Sequence, residues 1–322
     1  MPMCCLVRHE TNVQTTSFLS MVWKVCDGAE VGSRTCDRID KNNIEYGCWY
    51  RRARLSSIYS PIKVVMENLT RRTGDFLMEH FREDPELLRL RTSAKEAATV
   101  YDKMADRLIV QGIRDAYPDH SLLTEESGLL KGDADWLWIV DSLDGTGDFA
   151  DWNPFFAVCL ALMHKSDLVL GVIYAPAINE FYVAEKGDGA YLNRRRITVS
   201  NVPHLGQSYV FYCEGGEKDR ARTGGIMGRV YPKVMDLRKL GSAGLETAWV
   251  AAGKGEAYFT TKIEPWDVAP GVLLVREAGG EVTGFQGERW QLERSDLVFS
   301  NGRVHSALLD LLRPEVGSGR SW

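Results

Sequence analysis

What the sequence lacks narrows its function first. The longest apolar stretches, such as residues 155–163, run to about nine residues, well short of the roughly 20 a bilayer span needs, so no membrane partner is expected. Positive charge is not in excess: 39 Lys and Arg stand against 44 Asp and Glu, a formal net charge of −5. Without a global positive field, nucleic acid and anionic lipid are not expected partners, whereas small anions masked by a metal stay open. Cysteine is scarce in the body of the chain. Of the seven, Cys4, Cys5, Cys26, Cys36 and Cys48 fall in the first fifty residues, and only Cys159 and Cys213 follow. That placement fits neither a disulfide framework nor paired CxxC zinc knuckles nor a redox motif. The start of the chain also lacks a basic segment followed by an apolar run and a small-residue cleavage site. A reducing, cytoplasmic location is therefore expected. There is no internal repeat and no low-complexity tract.

What is present is an ordinary globular composition, 322 residues with 44% hydrophobic and 26% charged. At roughly 150 residues per domain that allows about two compact units. Residues 1–57 show no sustained helical or strand period and end near Arg51-Arg52-Ala53-Arg54; they read as a poorly ordered extension, the basic cluster as a solvated linker. From Pro61 a helical period begins with Ile62, Val65, Met66, Leu69, Phe76 and Phe81. A second helix is expected over 99–115, with Met104, Leu108, Ile109 and Ile113 as its packing stripe. A short apolar strand over 136–140 stops abruptly at Asp141-Ser142-Leu143-Asp144-Gly145-Thr146. Further strands are expected over 155–163, 168–175, 180–186 and 189–192, joined by a hairpin turn at Lys186-Gly187-Asp188-Gly189. Beyond Ser200 strands and helices alternate, with helices over 244–253 and after Trp266-Asp267. The chain thus divides into an α+β part over 58–200 and an α/β part over 201–322.

The chemical question is set by acids. Glu125-Glu126 sit in a polar turn, Asp141 and Asp144 flank Leu143 at a strand end, and Asp267 precedes an apolar helix. Singly, each reads as a solvated turn or a helix cap. Together, carboxylates without nearby His or Cys select hard cations such as Mg²⁺, which retain waters for a phosphate to displace. In Asp-x-x-Asp-Gly-Thr the two carboxylates converge if the chain turns sharply, with the Leu143 carbonyl between them. Gly145 permits close backbone approach, and the amides of Gly145 and Thr146 would face an anion if a helix turn follows.

Three motifs carry a family resemblance: Thr124-Glu125-Glu126-Ser127, then Trp138-Ile139-Val140-Asp141-Ser142-Leu143-Asp144-Gly145-Thr146, then Pro265-Trp266-Asp267-Val268-Ala269-Pro270-Gly271 leading into Glu277-Ala278-Gly279-Gly280. With Gly171-Val172-Ile173-Tyr174-Ala175-Pro176, Gly189-Ala190-Tyr191-Leu192-Asn193 and Ser300-Asn301-Gly302, the chain resembles the inositol monophosphatase family over about residues 62 to 312. This family belongs to the Mg²⁺-dependent, lithium-sensitive phosphomonoesterases, which include fructose-1,6-bisphosphatases. The resemblance implies an α-β-α-β-α layered sandwich, two or three Mg²⁺ ions, lithium sensitivity and a homodimer. It assigns Glu125, Asp141, the Leu143 carbonyl, Asp144 and Asp267 as metal ligands, Gly145 and Thr146 to the phosphate, and Thr146 to the nucleophilic water. Glu126 is left outside the ligand set. The stretch Glu96-Ala97-Ala98-Thr99-Val100-Tyr101-Asp102 is similar to the family's Asp-x-x-Thr-x-x-Asp, whose first acid bonds the catalytic threonine; that acid is here Glu96. The reaction implied is in-line attack of a metal-activated water on a phosphate monoester, with no phosphoenzyme. Glu125 and the pair Thr146 and Glu96 would act on the water.

Departures bear on substrate. Ser142 replaces the family's usual Pro, Pro270 its Ala, and Asp148 brings an extra acid after Thr146-Gly147. If Asp267 caps its helix, Pro270 falls in the first turn, where a missing N–H costs little. Gly241, Ser242 and Ala243 match a stretch that contacts the inositol ring in family members, whereas Thr260 takes the place of a ring-binding Glu. A small phosphorylated substrate is expected, inositol 1-phosphate or a related polyol or sugar phosphate. Histidinol phosphate, fructose 1,6-bisphosphate and 3′-phosphoadenosine phosphates are the alternatives, as is a catalytically weak regulatory protein that binds metal and phosphate.

Overall fold

A computed structural model describes residues 58–82, 91–214 and 219–313, with the backbone alone over 91–99. The chain separates into units Met1–Leu55 and Ser56–Trp322; the second is described below, and the reading of residues 1–57 as an extension lies outside the described residues. Helices α1 (Ser60–His80) and α2 (Arg91–Ala116) come first. Ile62, Met66, Leu69 and Leu77 form the buried stripe of α1, with Pro61 in its first turn. On α2 the stripe is rotated from the expected one: Asp102, Ala105, Asp106, Ile109 and Ile113 are buried and Met104 is exposed. Two acids therefore occupy positions a purely apolar stripe would fill.

The strands follow as β1 (His120–Thr124), β2 (Gly128–Leu130), β3 (Asp133–Asp144), β4 (Ala157–His164), β5 (Asp167–Ala175), β6 (Glu180–Glu185), β7 (Gly189–Leu192) and β8 (Arg195–Ile197), with the short helix α3 (Thr146–Ala150) after β3. They form one eight-stranded sheet in the order β2-β1-β3-β4-β5-β6-β7-β8. All its pairings are antiparallel except β1 with β3. The second sheet holds β9 (Tyr209–Cys213), β10 (Asp236–Arg238), β11 (Ala257–Thr260), β12 (Glu281–Gly284) and β13 (Leu297–Ser300), ordered β10-β9-β11-β13-β12. Helices α4 (Arg220–Val230), α5 (Ala243–Ala251), α6 (Pro265–Glu277) and α7 (His305–Leu312) complete the α-helices described.

Three apolar clusters sort these elements into layers. Residues of α1 and α2 pack on one face of the large sheet through Trp138, Val140, Leu160 and Val172. The alternate residues Ile139, Cys159, Ala161 and Ile173 face α5 and α6, which also meet Phe211, Tyr258 and Phe299 of the small sheet. On its far face, Val210, Phe259 and Val298 meet Ile226 of α4 and Leu308 of α7. The period-2 alternation of strand side chains thus builds the α-β-α-β-α sandwich directly. Where α6 crosses β5, the backbone of Pro270 comes so close that a Cβ on Gly171 would lie 2.9 Å from the Pro270 carbonyl oxygen. Pro270 is not in the first turn: Glu264 is the N-cap and Asp267 the third helical residue, so the proline sits in the second turn.

Candidate metal and phosphate site

The site is assembled by strand register. Parallel pairing puts Thr124 of β1 opposite Val140 of β3, and the Glu125 amide continues the ladder to the Val140 carbonyl at 3.2 Å. Glu125 and Asp141 therefore leave adjacent strands at the same end. Farther along β3, three steps from Asp141 to Asp144 span two on β4, from Cys159 to Ala157, which is a β-bulge. In a regular strand, residues three apart face opposite sides; the extra residue brings Asp144 toward the side Asp141 faces. The chain then turns sharply at Gly145, φ +89°, where a Cβ would fall 2.9 Å from the Phe155 carbonyl oxygen.

Asp267 arrives from the other layer. The first turn of α6 carries a capping box, with the Glu264 side chain on the Asp267 amide and the Glu264 amide donating to Asp267 Oδ2 at 3.3 Å. One oxygen each from Glu125, Asp141 and Asp267 lie within 4.8 Å of one another. Asp144 lies beside them but is gripped: Ser242 Oγ donates to its Oδ2 at 2.5 Å, the Gly244 amide to the same oxygen at 2.7 Å, and the Ala243 amide to Oδ1 at 3.2 Å. Each carboxylate oxygen has about two lone pairs, and Oδ1 takes only the Ala243 amide, so one of its positions stays available.

Thr146 faces the acids from the start of α3. Its hydroxyl lies 3.0 Å from the Leu143 carbonyl and 3.4 Å from Asp102 Oδ2. Ser142 Oγ donates to Asp102 Oδ1 at 2.7 Å. Among the described residues, the acid at Thr146 is Asp102. Glu96 lies six residues earlier on α2, about 9 Å along the axis at 1.5 Å per residue, and its side chain is outside the described residues.

The electrostatics reflect this crowding. Burial, then the charges of Asp144 and Glu125, hold Asp141 well above the usual carboxylate range. Asp267 is raised by the same causes. Glu125 is pushed up to about 7 by burial and by Asp144 and Glu126. Burial lifts Asp144 to about 6, against the pull of its Ser242, Gly244 and Ala243 donors. Asp102 rises to about 7 through burial, opposed by the Ser142 bond and aided by Glu125, Glu126 and Asp106. Such acids cannot all ionise without a cation among them. An all-oxygen set of this kind fits Mg²⁺.

A cleft of about 130 Å³ opens on this group, lined by Glu125, Asp141, Leu143, Asp144, Gly145, Thr146, Cys213, Gly241, Ala243, Ile263 and Asp267. Cys213 and Ile263 carried no signal in the sequence. Two residues expected at a substrate are absent from the lining. Ser242 is fully buried, caps α5 by accepting from the Leu245 amide at 3.3 Å, and spends its own proton on Asp144. Thr260 is also fully buried; it pairs with Cys213, on the face of β11 that carries Tyr258. Cys159 is a buried thiol 3.9 Å from Asp144 Oδ2 and is raised well above its ordinary pKa by burial, which fits a packing role. A larger groove of about 520 Å³ lies near the opposite end of β3, where Lys165, Arg276 and Arg289 mix with Asp135, Asp167 and Glu293; the converging oxygens, not volume, identify the smaller cleft.

A layered α-β-α-β-α sandwich with carboxylates meeting at a strand end beside a threonine defines the class, a fold with a carboxylate cluster that could hold a hard cation. The sequence model of the inositol monophosphatase family matches residues 59–316, and the chain belongs to that family. It is 36% identical over 249 residues to the fructose-1,6-bisphosphatase/inositol-1-monophosphatase of Thermotoga maritima, covering 77% of this chain and 94% of the relative. It is 35% identical over 259 residues to the Nus factor SuhB of Escherichia coli, covering 80% and 97%. Among solved structures, the Thermotoga maritima IMPase superposes with a TM-score of 0.67 at 34% identity, over 77% of this chain and 94% of that one. The extragenic suppressor protein suhB of Bartonella henselae superposes with a TM-score of 0.73 at 29% identity, over 80% and 100%.

Proposed function

We propose that the protein hydrolyses a small phosphate monoester with Mg²⁺, inositol 1-phosphate or a related polyol or sugar phosphate. The observation that carries this reading is the meeting of Glu125, Asp141 and Asp267 within 4.8 Å next to the hydrogen-bonded pair Thr146 and Asp102. Bound Mg²⁺, in two or three ions, supplies a water of lowered pKa and a clamp on the phosphoryl oxygens. Glu125, Asp141, Asp144, Asp267 and the Leu143 carbonyl would hold it. With the Leu143 oxygen so engaged, the Thr146 hydroxyl would donate its hydrogen bond to Asp102 Oδ2 and turn a lone pair toward the cleft. Thr146 thereby orients the attacking water, and Glu125 takes part in receiving its proton. The first-turn amides at Gly145 and Thr146, which have no acceptor within α3, steady the phosphate.

The cleft also bears on the leaving group. None of its described lining residues is aromatic, so an adenine has nothing to stack on, which favours a polyol over a 3′-phosphoadenosine phosphate. Gly241 and Ala243 leave room for a small ring. Phosphate release is the test, from myo-inositol 1-phosphate, histidinol phosphate, fructose 1,6-bisphosphate and 3′-phosphoadenosine 5′-phosphate, with Mg²⁺, with EDTA and with Li⁺. Release that needs Mg²⁺ and falls with Li⁺ supports the reading and ranks the substrates.

A second reading is favoured by the relatives called Nus factor SuhB, a name that is not an enzyme's. It is a regulatory role with weak or no turnover. Stoichiometric Mg²⁺ binding with no phosphate release from any member of the panel would favour it. Under the first reading the protein acts as a homodimer in the cytoplasm, without nucleic acid, which sedimentation with and without added RNA would check.

A further inference from the structure

Asp144 is the carboxylate of the cluster that the second half of the chain holds. Its donors Ser242, Ala243 and Gly244 stand at the start of α5, and their aim depends on how the residues before them are fixed. Leu240 is fixed by Glu246, one turn into α5, whose Oε1 accepts from the Leu240 amide at 2.6 Å. The Gly241 amide also favours the charged form of the Glu246 carboxyl. From the other side Gly241 is pressed by Asp148: its φ is +103°, and a Cβ there would lie 1.9 Å from Asp148 Oδ2.

Glu246 is fully buried, and its second oxygen has no hydrogen-bond partner. A buried carboxyl group is costly, and its neighbours on α5, Leu245 and Ala248, are equally buried and apolar. Packing alone does not account for an acid here; the loop amides do. We infer that Glu246 is a positioning residue for the metal site. By holding the amides of Leu240 and Gly241 it sets the pitch of the three donors on Asp144, and through them the direction of the Asp144 oxygen left for a cation. The inference rests on the metal-dependent reading above.

Three variants test it: Glu246→Ala, Glu246→Gln and Glu246→Asp, with Mn²⁺ binding followed by electron paramagnetic resonance of the free ion and hydrogen exchange followed over residues 240–244. Partners beyond the ligands of a metal commonly govern about 10- to 100-fold in affinity. The alanine variant is expected to bind Mn²⁺ about tenfold more weakly and to exchange the amides of Leu240 and Gly241 faster. Any turnover should fall in kcat, with KM for substrate little changed. The glutamine variant keeps an acceptor oxygen and is expected to restore both affinity and protection. Unchanged Mn²⁺ affinity in a folded alanine variant overturns the inference, as does a glutamine variant as weak as alanine. Should the alanine variant not fold, the order of the other two decides. Asp, drawn back by one methylene, must bind more weakly than Gln, and the reverse order sinks the idea. Wild-type protein that binds no Mn²⁺ overturns the metal reading and this inference together; wild type that binds Mn²⁺ without turnover removes only catalysis.

Discussion

Replacing Asp102 with Asn should stabilise the protein while impairing its chemistry. Asp102 is 3% exposed and its pKa is raised from 3.8 to about 7, first by burial. A gap of about 3 in pKa at ~1.36 kcal/mol each corresponds to about 4 kcal/mol. Because the folded pKa lies above the unfolded one, the folded state holds the extra proton between them and loses stability as pH rises through that window. Asn does not titrate. The variant should therefore match wild type near pH 4, gain progressively from pH 4 to 7, and stay about 4 kcal/mol ahead above that. At about 2–4 °C per kcal/mol for a domain of this size, the rise in Tm at pH 8 is roughly 10 °C. The shape is kept, since an Asn oxygen still accepts from Ser142 Oγ, the partner of Asp102 Oδ1. The Asn amide, however, donates to Thr146 where Oδ2 accepted, so the Thr146 hydroxyl must point at Leu143. Turnover should fall about 10²-fold, the scale of a lost acid–base contact. Thermal unfolding in EDTA from pH 4 to 8, paired with phosphate release, checks both arms. A variant no more stable than wild type at pH 8, or one whose advantage does not change with pH, would refute the argument.

Asp141→Asn should fold, because its oxygen can still accept from the Leu143 amide as Asp141 Oδ1 does at 2.9 Å. It should lose more Mg²⁺ affinity than the roughly 10- to 100-fold tied to partners outside the ligand set; titration calorimetry measures this, and wild-type affinity would remove Asp141 from the ligands. Since Glu125 titrates near 7 and Asp144 near 6, and a cation takes the ionised forms, half-saturating Mg²⁺ should climb as pH falls below 7 and level off above it. A flat profile from pH 5.5 to 8 contradicts the crowding seen in the structure. Gly271→Ala should wedge α6 from α5, because its Cβ would lie 1.9 Å from Thr247 Oγ1. About 1–3 kcal/mol of stability should go, and metal affinity with it, although Gly271 touches no ligand. Gly228→Ala on α4, whose Cβ meets nothing within 4 Å, is the control and should add up to about 1 kcal/mol.

These perturbations follow from one architectural fact. Asp141 and Asp144 leave the large sheet, whereas the donors on Asp144 and the carboxylate of Asp267 come from α5 and α6, some 98 to 126 positions away in sequence. The helices between the sheets are both the packing layer and the second jaw of the site. Their separation is therefore read out as oxygen–oxygen distance, on which binding of a hard cation depends steeply.

Much of this was legible in the sequence where the signal is local. The apolar strand leading to Asp141, the hairpin at Gly187 and the strands over 157–192 follow from short-range patterns, although β3 runs on through Asp144 rather than stopping at Asp141. The meeting of Glu125 with Asp141 does not, because it depends on a parallel pairing between segments separated by a turn and a short strand. Nor does the bulge before Asp144, which has no composition of its own. The acid beside Thr146 is more instructive, since the helical period carries Asp102 to the buried face. Asp102, Ala105, Ile109 and Ile113 recur at intervals of three and four and share the buried face. On β11, Thr260 shares the face of buried Tyr258 and pairs with Cys213 of the cleft lining, so parity leaves it beside the site while full burial keeps it out of the lining. Motif alignment names the kind of residue a site requires, and the periodicity of the element that carries it determines which face that residue takes.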